Sequence, residues 1–251
     1  MIKSKIMRDL SGKTILITGA ARRLGRLFAL ACGRAGANLI LHHGNSPAEA
    51  ESLRGELAST GRQAWVLAAD FSHSESVSQL IERAHALSPL YGLVNSAAIF
   101  GSSTAHDTTL DDWNRHIDIN LTAPFLLSQA FAKFVKEGRI VNILDWRALR
   151  PGADHFAYTV TKSALAAMTK SLAVALSPHI TVNGLALGAI LPPTDVDPVN
   201  QSSPNKKIIE AVPAKRWSKA GEAEEALLFL LSGPTYITGE IIHVDGGRHL
   251  I

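Results

Sequence analysis

Cysteine is almost missing from this chain: Cys32 is the only one in 251 residues. A single thiol excludes an internal disulfide framework and a cysteine-based metal cluster, and it suits a reducing compartment. A dominant charge is missing too. The formal net charge is +3, with the basic residues scattered, so no stripe fits a nucleic acid and a mildly basic protein holding an anionic cofactor is expected. No apolar run approaches membrane-spanning length, and MIKSKIMRDLSGK at the N-terminus lacks the apolar core of a signal peptide. No nucleic-acid or membrane partner is expected, and the expected location is cytoplasmic. His73, His106, His116, His155 and His179 lack metal-ligand spacing, so no catalytic metal is expected. Repeats and low-complexity tracts are absent as well.

What is present is an ordinary globular mix, 46% apolar and 19% charged, arranged as alternating strand and helix patterns. Strands are expected over residues 14–18, 38–42, 64–69, 92–95, 139–143, 180–185 and 240–244. The helix after the first strand stops at Gly36, and a polar one ends near Gly61. The rest are expected over 74–87, 109–136 (bent at Pro124), 158–176 and 222–231. This alternation predicts an α/β fold: one Rossmann domain over residues 1–251, a doubly wound parallel sheet of about seven strands with helices on both faces. Residues 189–220, rich in proline, are expected to be an irregular, mobile substrate lid. In such sheets ligands sit beyond the carboxyl ends of the strands. The informative residues fall there: Gly19 to Gly25, His42 to Ser46, Asp70, Asn95 to Phe100, Asp145 and Gly188.

The first strand runs into Thr18-Gly19-Ala20-Ala21-Arg22-Arg23-Leu24-Gly25 and then a helix. A glycine turn feeding a helix N-terminus points backbone N–H groups and the positive end of the helix dipole at an anion. Enzymes selective for NAD place an acid at the end of the second strand. From Asn38 to Ala48 there is no Asp or Glu; His42, His43, Asn45 and Ser46 stand there, with Arg22 and Arg23 near by. A 2′-phosphate would meet donors, so NADPH (and NADP+) is expected over NADH. Tyr158 and Lys162 are spaced i, i+4 and share a helix face. An ammonium there can lower a phenol's pKa from about 10, and the tyrosine can then hand on a proton while the cofactor gives hydride.

These motifs together resemble the short-chain dehydrogenase/reductase family, over essentially the whole chain through Val244-Asp-Gly-Gly247. The family's loop reads TGxxxGxG, and its NNAG-like motif resembles Asn95-Ser96-Ala97-Ala98. The resemblance implies cofactor contacts at Gly19, Arg22, Arg23, Leu24, Gly25, His43, Asn45, Ser46, Asp70 (with Phe71 on the adenine), Asn95, Ser96, Ala97, Tyr158, Lys162 and Gly188. It implies catalytic Asn120, Tyr158 and Lys162.

The departures narrow the subgroup. Arg23 replaces the middle glycine of the loop, and Asp145 stands where most members carry a carbonyl-polarising serine. An ionised carboxylate would repel a developing alkoxide, but it suits a substrate with N–H donors or a C=N bond. A carboxyl raised in pKa by burial could help deliver the proton to nitrogen. These features resemble the pteridine reductases, where a phenylalanine at the place of Phe100 stacks on the pterin. The tail Asp245-Gly-Gly-Arg-His249-Leu resembles dihydromonapterin reductases, in which such tails often lie at a subunit interface. The resemblance implies an NADPH-dependent reduction of dihydropterins, and of dihydrofolate with them. Arg23, Phe100, Asp145 and Tyr158 would meet the substrate, and a homotetramer would be built on the two long helices. Two alternatives stay open: a short-chain reductase of a 3-oxoacyl thioester or other small carbonyl, and a non-catalytic NADP-binding regulator.

Overall fold

The computed structural model describes residues 9–191 and 208–251. The short apolar runs form seven parallel strands: β1 (Thr14–Ile17), β2 (Asn38–His43), β3 (Ala64–Ala68), β4 (Leu90–Asn95), β5 (Gly138–Asp145), β6 (Ile180–Leu187) and β7 (Ile241–Val244). Their order is β3-β2-β1-β4-β5-β6-β7. The chain therefore winds outward one way from β1 and the other way from β4, and the crevice between these two strands is where such sheets hold ligands. The helices are α1 (Arg23–Arg34), α2 (Pro47–Ser59), α3 (Ser74–Leu87), α4 (Leu110–Ile117), α5 (Ala123–Phe134), α6 (Phe156–Leu176) and α7 (Glu222–Ser232).

Period-two alternation along the strands sorts the apolar side chains into two cores. Ile15, Ile17, Leu39, Leu41, Val141 and Leu185 face α1 and α7, with Phe28 and Leu227 fully buried among them. Leu16, Ile40, Leu93, Ile140 and Val182 face α3 and α5, against Leu80 and Phe131. Both faces of the sheet are covered, which is why the strands read as nearly unbroken apolar runs.

Two expectations are corrected. The single helix expected over 109–136 is two helices joined by a π-turn at Asp118–Thr122. Pro124 sits in the first turn of α5, where its missing N–H is harmless, and the extra residue of the π-turn is accommodated just before it. The helix that carries Tyr158 and Lys162 begins earlier than expected, at Phe156, after His155 turns the chain with φ of 53°. Of the expected lid, residues 192–207 lie outside the described residues. No described helix is long and apolar enough to cross a membrane.

Candidate active site

The glycine loop is built by close approach. Gly19 has φ of 65°, and a Cβ there would lie 2.9 Å from the Ala97 Cα. A Cβ on Gly25 would lie 2.1 Å from the Gly19 carbonyl oxygen. Only glycine fits either place. Thr18 ties the loop to the end of β4: its Oγ1 accepts from the N–H groups of Ser96 at 2.9 Å and Ala97 at 3.0 Å. The N-terminus of α1 has no side-chain cap and no acid in its first turn. Its donors are thus left for an anion, and with Arg22 and Arg23 exposed beside them the loop fits a diphosphate.

Among the residues expected at the adenosine end, several hold contacts within the fold. His42 is buried, so it is not a free donor for a phosphate. Its Nδ1 accepts from the Gly19 N–H at 3.2 Å, its Nε2 bonds the Ala69 carbonyl at 2.9 Å, and burial lowers its pKa to about 4. These partners require the proton on Nε2. Phe71, expected on the adenine, is buried with its ring stacked on His42 at 4.2 Å. Asp70 caps its own turn, accepting from the Ser72 N–H at 2.9 Å and hydroxyl at 2.8 Å. His43 and Ser46 are buried, the Ser46 N–H meeting His43 Nδ1 at 3.4 Å, while Asn45 is exposed. Arg22 pairs with Glu49 in the first turn of α2. Glu49 lies one residue beyond the acid-free stretch from Asn38 to Ala48, and the sequence carries no sign of this pairing.

Asn95, expected at the cofactor, and Asn120, expected in catalysis, both have their side chains engaged within the fold. Asn95 lies in the core, donating from Nδ2 to Asn142 Oδ1 at 2.8 Å, and Asn142 donates on to Thr169 at 2.9 Å. Asn95 Oδ1 has no partner. Sequence reasoning missed Asn142, which reads only as a polar interruption of an apolar strand. Asn120, wholly buried, accepts from the Ile99 N–H at 2.9 Å and donates to the Ile99 carbonyl at 3.0 Å and to Thr161 at 3.3 Å. It braces the residue next to Phe100 and so acts as a positioning residue.

Asp145, Tyr158, Lys162, Phe100, Ser96, Ala97, Gly188 and the glycine loop do converge, on a cleft of about 650 Å³ at the switch point. Gly188 is needed there: a Cβ would lie 2.6 Å from the Asp245 Cα, closing β6 against the tail. The two oxygens of Asp145 have different tasks. Oδ1 accepts from the Arg147 N–H at 2.9 Å, capping the turn after β5, and Oδ2 accepts from the Tyr158 hydroxyl at 3.3 Å. Burial raises the Asp145 pKa despite the Arg147 N–H and guanidinium. Lys162 donates to the Ile143 carbonyl at 2.7 Å, and burial lowers it to about 8. The expected lowering of the Tyr158 pKa is not found: burial and then the Asp145 carboxylate push it well above 10.0. The lysine is directed at the backbone, not at the phenol oxygen.

Phe100 is not a core residue. It is 58% exposed, stacked on His155 at 4.0 Å and edge-on to Tyr158 at 4.6 Å. His155 is fixed by an Nδ1 contact of 2.7 Å to the Gly101 carbonyl. Trp146 and Arg147, which flank Asp145 in the chain, line the cleft, whereas Arg150 does not; Arg248, Leu191, Ile208 and Trp217 line it too, and no sequence pattern gathers these four. Among the described residues no group of three or more His, Cys, Asp or Glu is placed to hold a metal.

A doubly wound parallel sheet with a glycine loop at its switch point and a Tyr–Lys pair beyond β5 defines a nucleotide-dependent oxidoreductase scaffold. Residues 19–249 match the family described as enoyl-(acyl carrier protein) reductase, so the chain belongs to the short-chain dehydrogenase/reductase family. Among curated relatives, a 3-oxoacyl-(acyl-carrier-protein) reductase of Synechocystis is 31% identical, covering 96% of this chain and 98% of the relative. One from Aquifex aeolicus is 34% identical, covering 95% and 98%. Among solved structures, a FolM alternative dihydrofolate reductase 1 from Brucella canis, complexed with NADP, has a TM-score of 0.89 at 29% identity, covering 97% of this chain and 96% of the other. A blue fluorescent protein from a metagenomic library, in complex with NADPH, has a TM-score of 0.87 at 33% identity, covering 96% and 99%.

Proposed function

We propose that the chain is an NADPH-dependent reductase of pterins, taking a dihydropterin, and dihydrofolate with it, to the tetrahydro form. The observation that carries this reading is the Tyr158 hydroxyl donating to the half-buried carboxylate of Asp145, beside the open ring of Phe100. A serine at 145 would offer a carbonyl a hydrogen bond; a carboxylate offers acceptors to the N–H groups of a flat heterocycle. The likeness to the Brucella dihydrofolate reductase supports the same reading. Arg23, the lack of an acid from Asn38 to Ala48, and the NADPH and NADP held by the similar solved structures support NADPH over NADH, although Arg22 is paired with Glu49. A homotetramer and a cytoplasmic location go with it.

A nicotinamide held in this cleft would supply the hydride to the carbon of the C=N bond. The chain's own part is the proton on nitrogen. With its pKa held well above 10.0, Tyr158 stays protonated at neutral pH and is the donor. As its proton leaves, Asp145, raised by burial, passes one from solvent to the phenolate oxygen along the existing contact. The Lys162 ammonium, 5.7 Å from the Tyr158 ring centre, stabilises the transient negative charge. Phe100 offers a ring on which the pterin stacks, with Arg23 at the mouth.

A second reading, reduction of a 3-oxoacyl thioester, is favoured by the 31% and 34% identical relatives. NADPH oxidation measured against dihydrobiopterin, dihydrofolate and a 3-oxoacyl thioester separates the two. Turnover of the pterins is expected; turnover of the thioester alone would overturn the proposal. Asp145→Ser is expected to lower pterin turnover by about a hundredfold, the scale of one positioned acid–base group.

A further inference from the structure

Outward from Phe100 the wall of the cleft alternates ring and cation. Arg147 Cζ lies 5.9 Å from the Phe100 ring centre and 4.7 Å from that of Trp146, and Arg248 Cζ lies 4.3 Å from Trp146. One indole thus carries two guanidinium groups. Arg248 is delivered there by a clasped tail. Asp245 accepts from the Gly247 N–H at 2.9 Å, the His249 N–H at 2.8 Å and His249 Nδ1 at 2.7 Å. His249 stacks on His243 at 3.9 Å.

Two like charges on a half-buried wall repel, and both burial and the Arg147 charge lower the Arg248 pKa. Arg147 is partly compensated by Asp154 at 2.9 Å and Asp145 at 3.7 Å. Arg248 has no carboxylate within ion-pair distance among the described residues, and the more distant Asp145, Asp154 and Asp245 offset its charge only in part. The Nε of Arg147 is buried without a partner. Both cations line the same cleft as Asp145, Tyr158 and Phe100, with Arg248 beyond Trp146.

We propose that Arg248, together with Arg147, binds a carboxylate carried on the substrate's side arm, so that the preferred substrate is an acidic dihydropterin of the folate type, not one with a neutral hydroxyalkyl chain. The inference rests on the pterin reading above. A guanidinium fork matches a carboxylate in two parallel hydrogen bonds, and an indole beneath it keeps the fork in plane.

Steady-state constants for dihydrofolate and dihydrobiopterin, in the wild type and in Arg248→Gln, test it. The substitution is expected to raise KM for dihydrofolate about tenfold more than for dihydrobiopterin, the scale of one charged hydrogen-bonded pair, with little change in kcat. Added salt is expected to narrow the wild-type preference for dihydrofolate. Equal losses on both substrates, or no loss on either, would overturn the inference and leave the pterin reading standing. No turnover of either pterin by the wild type would overturn both. NADPH binding by Arg248→Gln, followed by fluorescence, is expected to match the wild type; weakened binding would assign Arg248 to the cofactor and overturn the inference.

Discussion

At the residue scale, Arg23 shows function set against conformation. Its φ of 48° is left-handed, which costs an L-residue about 1–2 kcal/mol, and it occupies the place where the family has glycine. Such strain beside a cleft is expected only where the side chain is used. Arg23→Gly is predicted to keep or slightly raise the melting temperature while lowering kcat/KM about tenfold, the worth of one charged contact. Lys162 has the same character. Its folded pKa of about 8 lies below the ordinary lysine value of 10.5 that the unfolded chain keeps. Between those values the unfolded chain holds the proton better, so stability rises with pH across that window, and the penalty is full below about 8. It is on the order of 3 kcal/mol. Lys162→Met is therefore predicted to raise the thermal midpoint at pH 7, flatten stability between about pH 8 and 10, and abolish turnover. A lowered midpoint would show that the bond to the Ile143 carbonyl outweighs the buried charge. The Tyr–Lys pair itself is legible from i, i+4 spacing, but the direction of the phenol's pKa is not. That direction depends first on burial and then on Asp145, which reaches Tyr158 from another element.

At the scale of elements, strand ends and turns were legible because glycines and apolar runs leave local marks. Thr14–Ile17 and Ile180–Leu187 stand within two residues of their expected ends. The π-turn before Pro124 left no such mark, since it answers to packing around Asn120 and not to periodicity. The contacts of His42 and Phe71 were also hidden. Both read as loop-facing groups in the chain, yet β2 and β3 turn them onto each other. This pair supports the glycine loop and carries a pH dependence. The folded pKa of His42, about 4, lies below the ordinary 6.5, so the unfolded chain takes up the proton first as pH falls. Stability contributed by the neutral ring is predicted to be lost as pH falls from about 6.5 to 4, by on the order of 3 kcal/mol. Urea midpoints across that range check this. His42→Phe is predicted to show a shallower acid slope and weaker NADPH binding, because the Gly19 N–H loses its acceptor.

For the whole molecule, the cleft is assembled from the ends of β1, β4, β5 and β6 and from the tail beyond β7. A ligand that bridges these ends stabilises the folded chain by mass action, about 2.7 kcal/mol at a hundred times its Kd. For a chain of this size that corresponds to a rise of about 5–10 °C in Tm. NADPH is predicted to give such a shift in a thermal melt, and NADH at equal concentration a smaller one. Equal shifts would remove the proposed selectivity for the 2′-phosphate.

By itself the sequence determined whatever is written in neighbouring residues: the parallel α/β sheet, the glycine loop, the spacing of Tyr158 and Lys162, and the unusual Asp145. These follow from periodicity and short-range sterics, which act over a few residues. Tertiary structure alone decided the division of labour. It turned Asn95 into a core residue and Asn120 into a brace, and it gave Asp145 one oxygen for a turn and one for Tyr158. It also carried Arg248 from the end of the chain onto Trp146. Each of these depends on contacts between residues far apart in sequence, whose burial and charge exist only once the sheet has closed around them.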